Sequence, residues 1–189
     1  MRYPAIFIDK DGTLIPDIPY NVDPVKIELV PGAKTALQSV CDSYKLIIIS
    51  NQSGVARGYF PEIALKKVEQ RLQELLDPIA LSGFYYCPHY STGKMADYAI
   101  ECDCRKPKPG MLLKAAQDHQ IDLARSWMIG DILNDVEAGR VAGCRTVLID
   151  NGNETEWLLN PNRVPHFCVS DFVEGMKTIL HHSYAHSGS

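Results

Sequence analysis

Two carboxylates one residue apart, Asp9 and Asp11, stand where the apolar run Ala5-Ile6-Phe7-Ile8 gives way to Gly12-Thr13. A soluble core does not bury two unpaired anions. Alternate residues of a strand share a face, so both side chains are expected on one side of the strand's exit. Such a pair needs a cation, a shared proton, or both. The chemistry that suits it is attack on phosphorus. A carboxylate nucleophile divides ester hydrolysis into two easier steps through an acyl phosphate. A second carboxylate protonates the leaving alkoxide and then activates water. Mg2+ prefers oxygen ligands and keeps several waters, so one or two carboxylates and the phosphate suffice to hold it.

Three further polar groups have the same placement. Ser50-Asn51-Gln52-Ser53-Gly54 follows the apolar run Leu46–Ile49, and Asp131 and Asp135 follow Trp127–Gly130. Lys106 and Lys108, framed by Pro107 and Pro109, precede a helical pattern between them. Singly, each has an ordinary reading: an Asx turn, a simple turn, a solvated lysine, a helix cap. In this order, each at the end of an apolar run, they form one constellation. Asp9, Asp11, Ser50 and Lys106 are the candidate catalytic residues. Ser50 and Lys106 would stabilise charge on the oxygens of the transferring group.

The elements that must position them alternate. Ala5–Asp9, Lys45–Ser50, Gly83–Cys87, Trp127–Gly130, Arg145–Asp150 and Phe167–Ser170 read as strands. Helical spacing runs from Pro31 to about Ser43, from Pro61 to about Leu76, and over Gly110–His119, Leu133–Ala142 and Asp171–Leu180. This order predicts an α/β fold, a three-layer Rossmann-like parallel sheet with helices on both faces. Ligands of such sheets bind outside the carboxyl ends of the strands, so the scattered polar exits are expected to form one site. The stretches Leu14 to Val30 and Leu75 to Gly83 are too short for a large cap domain.

With 189 residues, 46% of them hydrophobic, the chain fits one domain over 1–180 with a polar tail, 181–189, expected to fray. A net charge of −4 speaks against a nucleic-acid partner. No apolar run approaches the roughly 20 residues of a membrane helix, and none reads as a signal peptide, so no membrane partner is expected. A cytoplasmic location and a monomer are the expectations.

Of six cysteines, Cys41, Cys144 and Cys168 lie in regular patterns and read as core. The others form Cys87-Pro88-His89 and Cys102-Asp103-Cys104. Two such pairs can close a tetrahedral Zn2+ site, and a full Cys3His set leaves no open position for catalysis. Buried free thiols beside a surface histidine are the alternative; a disulfide does not suit a reducing compartment. Pro88 to Pro109 lacks periodicity, and zinc would staple it.

The chain resembles the haloacid dehalogenase superfamily of phosphohydrolases in the order Asp9-Lys10-Asp11-Gly12-Thr13, Ser50-Asn51, Lys106, Gly130-Asp131 and Asp135. That resemblance implies Asp9 as nucleophile and Asp11 as acid and base. It implies Mg2+ on the Asp9 carboxylate, the Asp11 backbone carbonyl and Asp131, with Asp135 orienting the metal's waters or the lysine. Cys-Pro-His followed by Cys-Asp-Cys-Arg-Lys-Pro-Lys-Pro-Gly-Met, with residues 51–58, is similar to the zinc-containing heptose bisphosphate phosphatases and, less closely, the histidinol-phosphate phosphatases. The substrate so implied is a sugar bisphosphate. Its implied contacts are Asp17, Ile18, Pro19 and Tyr20, then Ser50, Asn51, Gln52 and Ser53, then Arg105 and Lys106. Arg57 braces the loop or joins them. The chain departs from the family pattern at Ile132, where many members carry a substrate-contacting lysine, and at Lys10, where relatives often have arginine. A non-catalytic zinc module that binds a partner is the reading from another class, and the intact acids and lysine argue against it.

Overall fold

The computed structural model describes residues 2–184. Strands β1 (Ala5–Ile8), β2 (Lys45–Asn51), β3 (Gly83–Cys87), β4 (Trp127–Gly130), β5 (Arg145–Ile149) and β6 (Phe167–Val169) form one sheet. Its order is β3-β2-β1-β4-β5-β6, and every neighbouring pair is parallel. The chain winds outward through β2 and β3, then returns to place β4 against the other side of β1. The winding therefore reverses between β1 and β4, where open parallel sheets hold their ligands.

Five helices cover both faces: α1 (Ala33–Gln38), α2 (Ala64–Leu76), α3 (Gly110–Asp118), α4 (Leu133–Ala142) and α5 (Phe172–Tyr184). Alternation along the central strands assigns the layers. Ile6 and Ile8 of β1, with Leu46 and Ile48 of β2, pack among residues of α1, α2 and α5. Ala5 and Phe7, with Ile47 and Ile49, pack among residues of α3 and α4. All eight are buried, so β1 and β2 are apolar on both faces, as strands between two helical layers must be.

Some boundaries differ from expectation. α1 stops at Gln38, five residues early. Ser39 Oγ bonds back to the Ala36 carbonyl at 2.6 Å and Cys41 Sγ to the Gln38 carbonyl at 3.4 Å, and such local bonds compete with helix continuation. α2 starts three residues after Pro61. α5 continues through Tyr184, past the point where the tail was expected to fray, and 185–189 lie outside the described residues. Cys144 is core as expected; Cys41 is half-buried, and Cys168, on edge strand β6, is exposed. No helix of the described residues is long and apolar enough to cross a membrane.

Candidate active site

The exits of β1, β2 and β4 converge, joined by the segment that leads into α3. Asp9 follows β1 directly, and its backbone N–H donates to Ile129 O at 2.9 Å, extending the pairing of β1 with β4 by one residue. Lys106 reaches in from before α3. Its ammonium is hydrogen-bonded to Asp9 Oδ1, lies 2.6 Å from Asp135 Oδ1 and donates to the Ile49 carbonyl at 3.1 Å. Burial alone would push this lysine's pKa down. Asp135 and Asp9 reverse that and hold it above its ordinary value, fully charged. Asp135 also accepts from the Ile132 backbone N–H at the start of α4, which fixes its carboxylate against the lysine.

Asn51 uses both ends of its amide on one residue. Nδ2 donates to the Lys106 carbonyl at 3.1 Å, and Oδ1 accepts from the Lys106 N–H at 3.0 Å. The exit of β2 thereby fixes the backbone of the lysine. Ser50 is buried beside it, accepting from Gln52 Nε2 at 2.7 Å; the same amide reaches Asp11 Oδ2 at 3.1 Å.

Asp9 and Asp11 do not share a strand face, because β1 ends at Ile8 and both lie in the turn beyond it. Asp9 points down into the lysine and acid cluster and is 7% exposed. Asp11 is turned toward the mouth, its side chain 29% exposed and paired with buried Lys10 at 2.5 Å. Gly12 makes the turn possible. Its φ is +82°, and a Cβ there would run into the Asp131 carboxylate and the Asn153 amide.

Asp9, Asp131 and Asp135 are buried and each offers a carboxylate oxygen, the three lying within 4.8 Å of one another. Asp11 is not of this group by its side chain. Three acids with Lys106 as the cation inside the cluster leave an excess of negative charge, and burial pushes Asp9 well up, with Asp135, Asp131 and Asp11 adding to the effect against Lys106. An all-oxygen set with uncompensated charge fits a hard dication such as Mg2+.

The exit of β5 completes the site, and the sequence reading did not anticipate it. Asn153 Nδ2 donates to Asp131 Oδ2 at 2.7 Å, Asn151 Nδ2 to the Gly12 carbonyl at 2.8 Å, and Glu154 caps α4 by accepting the Leu133 N–H at 2.7 Å. Thr13 Oγ1 donates to the other Asp131 oxygen at 3.1 Å. The signal was present: Asn151-Gly152-Asn153 follows an apolar strand, and the rule about strand exits applies to it as well.

Asp131 gives a pH test. Burial, then Asp135, pushes its carboxyl up to about 6, against the bonds from Asn153 and Thr13 and the charge of Lys106. A carboxyl raised on folding binds a proton in the folded state that the unfolded chain lacks. Metal-free stability should therefore rise as pH falls from about 7 toward the unfolded value near 4, and the ionised site should be a burden above about 6. Millimolar Mg2+ is expected to raise the melting temperature clearly at about pH 8 and far less at about pH 5, where protons hold the ligand oxygens. Equal gains at both pH values would remove Asp131 from the metal site.

A cavity of about 270 Å3 opens above Asp11. Among its walls are Asp17, Pro19, Tyr20, Asn51, Gln52 and Ser53, six of the residues that the family resemblance implies as substrate contacts. Ile18 is exposed and is not among its walls. Tyr20 meets Tyr59 edge to face, ring centroids 4.6 Å apart, and Tyr59 was not anticipated. A larger cavity, about 660 Å3, lies at the opposite end of the sheet among Pro4, Tyr44, Trp127 and Arg145, without an acidic residue in its walls.

The Cys/His segment closes on itself. Cys87, at the end of β3, brings its sulfur together with His89 Nδ1 and the sulfurs of Cys102 and Cys104, all within 4.8 Å. These cysteines are free thiols. Contact with the Cys87 sulfur, joined by contacts with Cys102 and His89, holds the Cys104 thiol down to about 5 despite burial. A donor set of three sulfurs and one nitrogen fits Zn2+. The segment is tied to the β2 exit through Ala56, whose N–H donates to Pro88 O at 3.2 Å and whose carbonyl accepts from Met95 N at 2.9 Å. Glu62 holds it from the other side, accepting from Tyr86 at 3.0 Å and Tyr98 at 2.7 Å.

Comparison with known proteins agrees with this fold. The HAD-hydrolase-like family model matches residues 103–175. The D-glycero-beta-D-manno-heptose-1,7-bisphosphate 7-phosphatase of Haemophilus ducreyi is 42% identical over 153 residues, covering 78% of this chain and 84% of its own. The Escherichia coli K12 protein of the same name is 38% identical over 169 residues, 83% of this chain and 88% of its own. The crystal structure of D,D-heptose 1,7-bisphosphate phosphatase from B. bronchiseptica, complexed with magnesium and phosphate, superposes with a TM-score of 0.76 at 25% identity, covering 95% of this chain and 99% of that one.

Proposed function

The chain belongs to the haloacid dehalogenase-like phosphatases, and on that premise we propose that it removes the 7-phosphate of D-glycero-β-D-manno-heptose 1,7-bisphosphate through an aspartyl-phosphate. The observation that carries this reading is the convergence of Asp9, Lys106, Asp135 and Asp131 from two strand exits and one loop onto a single buried cluster beside Ser50.

Asp9 is the nucleophile. Its carboxylate oxygen forms a bond to the phosphorus of the 7-phosphate as the bond from phosphorus to the sugar O7 breaks. Asp11, turned toward the mouth and steadied by Lys10 and Gln52, donates a proton to the departing O7. It then takes a proton from water as that water attacks the acyl phosphate, returning Asp9 and releasing inorganic phosphate. Lys106 and the Ser50 hydroxyl stabilise the charge on the oxygens of the transferring group. Asn51 and Asp135 keep the lysine in place.

Mg2+ would be held by the carboxylates of Asp9 and Asp131 and the backbone carbonyl of Asp11, with Asp135 beside it, and supplies charge neutralisation between the nucleophile and the incoming phosphate. Zn2+ would be held by Cys87, His89, Cys102 and Cys104 and orders the segment that ends in Arg105 and Lys106. The free thiols suit a reducing cytoplasm. The similarity to curated heptose bisphosphate phosphatases over most of the chain supports the choice of sugar.

The test is steady-state kinetics of the metal-loaded enzyme on both anomers of heptose 1,7-bisphosphate and on histidinol phosphate. The β anomer should give the highest kcat/KM, with inorganic phosphate taken from C7. A kcat/KM on histidinol phosphate equal to or above it would sink the heptose reading and leave the phosphatase.

A further inference from the structure

A bisphosphate substrate needs a second anion seat beyond the catalytic lysine. Ile132, in the β4 exit, supplies no cation to it. Two nearby cations are already matched: Lys106 by Asp9 and Asp135, and Lys10 by Asp11. Arg57 and Arg105 are different. Among the described residues, no carboxylate lies within 4 Å of either guanidinium.

Both stack on the same ring. The Arg57 guanidinium carbon is 4.0 Å from the centroid of Tyr90, and that of Arg105 is 5.1 Å from it. Arg57 Nε and Arg105 Nη1 are buried and have no hydrogen-bond partner. Two like charges on one ring repel, and buried N–H donors without acceptors cost about 1–3 kcal/mol each. Cation–π contact with Tyr90 offsets part of this but satisfies no donor. What would satisfy all of it is a dianion with several acceptor oxygens, which guanidinium forks bind in bidentate fashion.

The placement is built rather than incidental. Arg105 lies between Cys104 and Lys106. Arg57 follows Ala56, the residue that the Cys/His segment bonds through Pro88 and Met95, and its own N–H donates to the Ser53 carbonyl at 3.0 Å. An arginine from the β2 exit and one from the end of the Cys/His segment thus meet at one shared tyrosine, and the first is bonded through its backbone to Ser53, a residue of the cavity wall.

Arg105 is already a substrate contact by family resemblance; we propose that Arg57, which shares the ring of Tyr90 with it, joins it in holding the substrate's second phosphate, the one that is not cleaved. This assignment rests on the bisphosphate reading above and adds Arg57 as a specificity residue. Arg57 grips the spectator phosphate and acts on discrimination between bisphosphate and monophosphate.

The experiment compares kcat/KM on heptose 1,7-bisphosphate and on heptose 7-phosphate for the metal-loaded wild type, Arg57→Met and Arg57→Lys. In Arg57→Met the ratio of bisphosphate to monophosphate should fall about 30-fold, mainly through KM, as expected for loss of a charged hydrogen-bond donor. Arg57→Lys should keep part of the ratio, because charge remains while the fork is lost. Equal losses on both substrates would make Arg57 a brace for the loop and overturn the seat, as would an unchanged ratio. Should Arg57→Met fail to fold, Arg57→Lys decides alone: a ratio several-fold below wild type supports the seat, and a wild-type ratio overturns it. A wild type that shows no preference for the bisphosphate overturns both the seat and the heptose bisphosphate reading. A preference that survives every Arg57 variant overturns only the seat.

Discussion

Asp9→Asn should abolish turnover, lowering kcat by at least about 10^4-fold while the protein stays folded. An amide does not form the acyl phosphate, so the covalent step is lost rather than slowed. The fold should tolerate the change because the substitution keeps shape and Lys106 retains Asp135 at 2.6 Å as its counter-ion. It also removes one anion from a buried group of three. The metal-free variant is therefore expected to melt no lower than wild type, even as its Mg2+ binding weakens. A protein that only binds a partner through its zinc segment would be indifferent to this change. Residual turnover within about tenfold of wild type would take the nucleophile's role away from Asp9.

Removing zinc should be nearly as damaging, by a different route. No helix or strand spans Pro88 to Pro109; turn bonds, the two backbone bonds to Ala56 and a few side-chain bonds hold that stretch together with the Cys87, His89, Cys102 and Cys104 cluster, which joins its two ends. Structural zinc sites contribute folding free energy directly. Cys102→Ser, or stripping the metal with a chelator, is expected to cost about 3–5 kcal/mol, which for a chain of this size lowers the melting temperature by roughly 10 °C. Activity should fall at least about 100-fold although no proposed Mg2+ ligand is touched, because Lys106 lies two residues after Cys104. Metal analysis of wild type should find about one zinc per chain, and amide exchange should accelerate in residues 88–109 when it is lost. A zinc-free protein with wild-type kcat and melting temperature would refute the structural role.

Much of this arrangement was readable from residue order because it follows from one rule. Parallel strands buried on both faces are continuous apolar runs, and their ends are where polar residues become possible. Asp9, Ser50 and Asp131 stood out for that reason, and the Cys/His spacing did so because four soft ligands in an aperiodic stretch have few other uses. What escaped was of three kinds. Asn151, Asn153 and Glu154 were missed because amides and a surface-type glutamate have no chemistry of their own to advertise; they matter through Asp131, Gly12 and α4. The orientation of Asp11 was misjudged because strand alternation was carried past Ile8, where the strand ends and Gly12 turns the chain. The pairing of Asn51 with the Lys106 backbone joins residues 55 positions apart, a distance over which sequence pattern carries no register.

Cys104, Arg105 and Lys106 are consecutive, with neighbouring Cα atoms about 3.8 Å apart. On the assignments made above, these three positions serve the zinc, the spared phosphate and the cleaved phosphate in turn. No hinge or loop separates them, and Asn51 and Tyr90 hold two of the three from outside. The enzyme therefore carries a gauge of fixed length. It would judge a substrate by the span between its two anionic ends before reading any hydroxyl along the way.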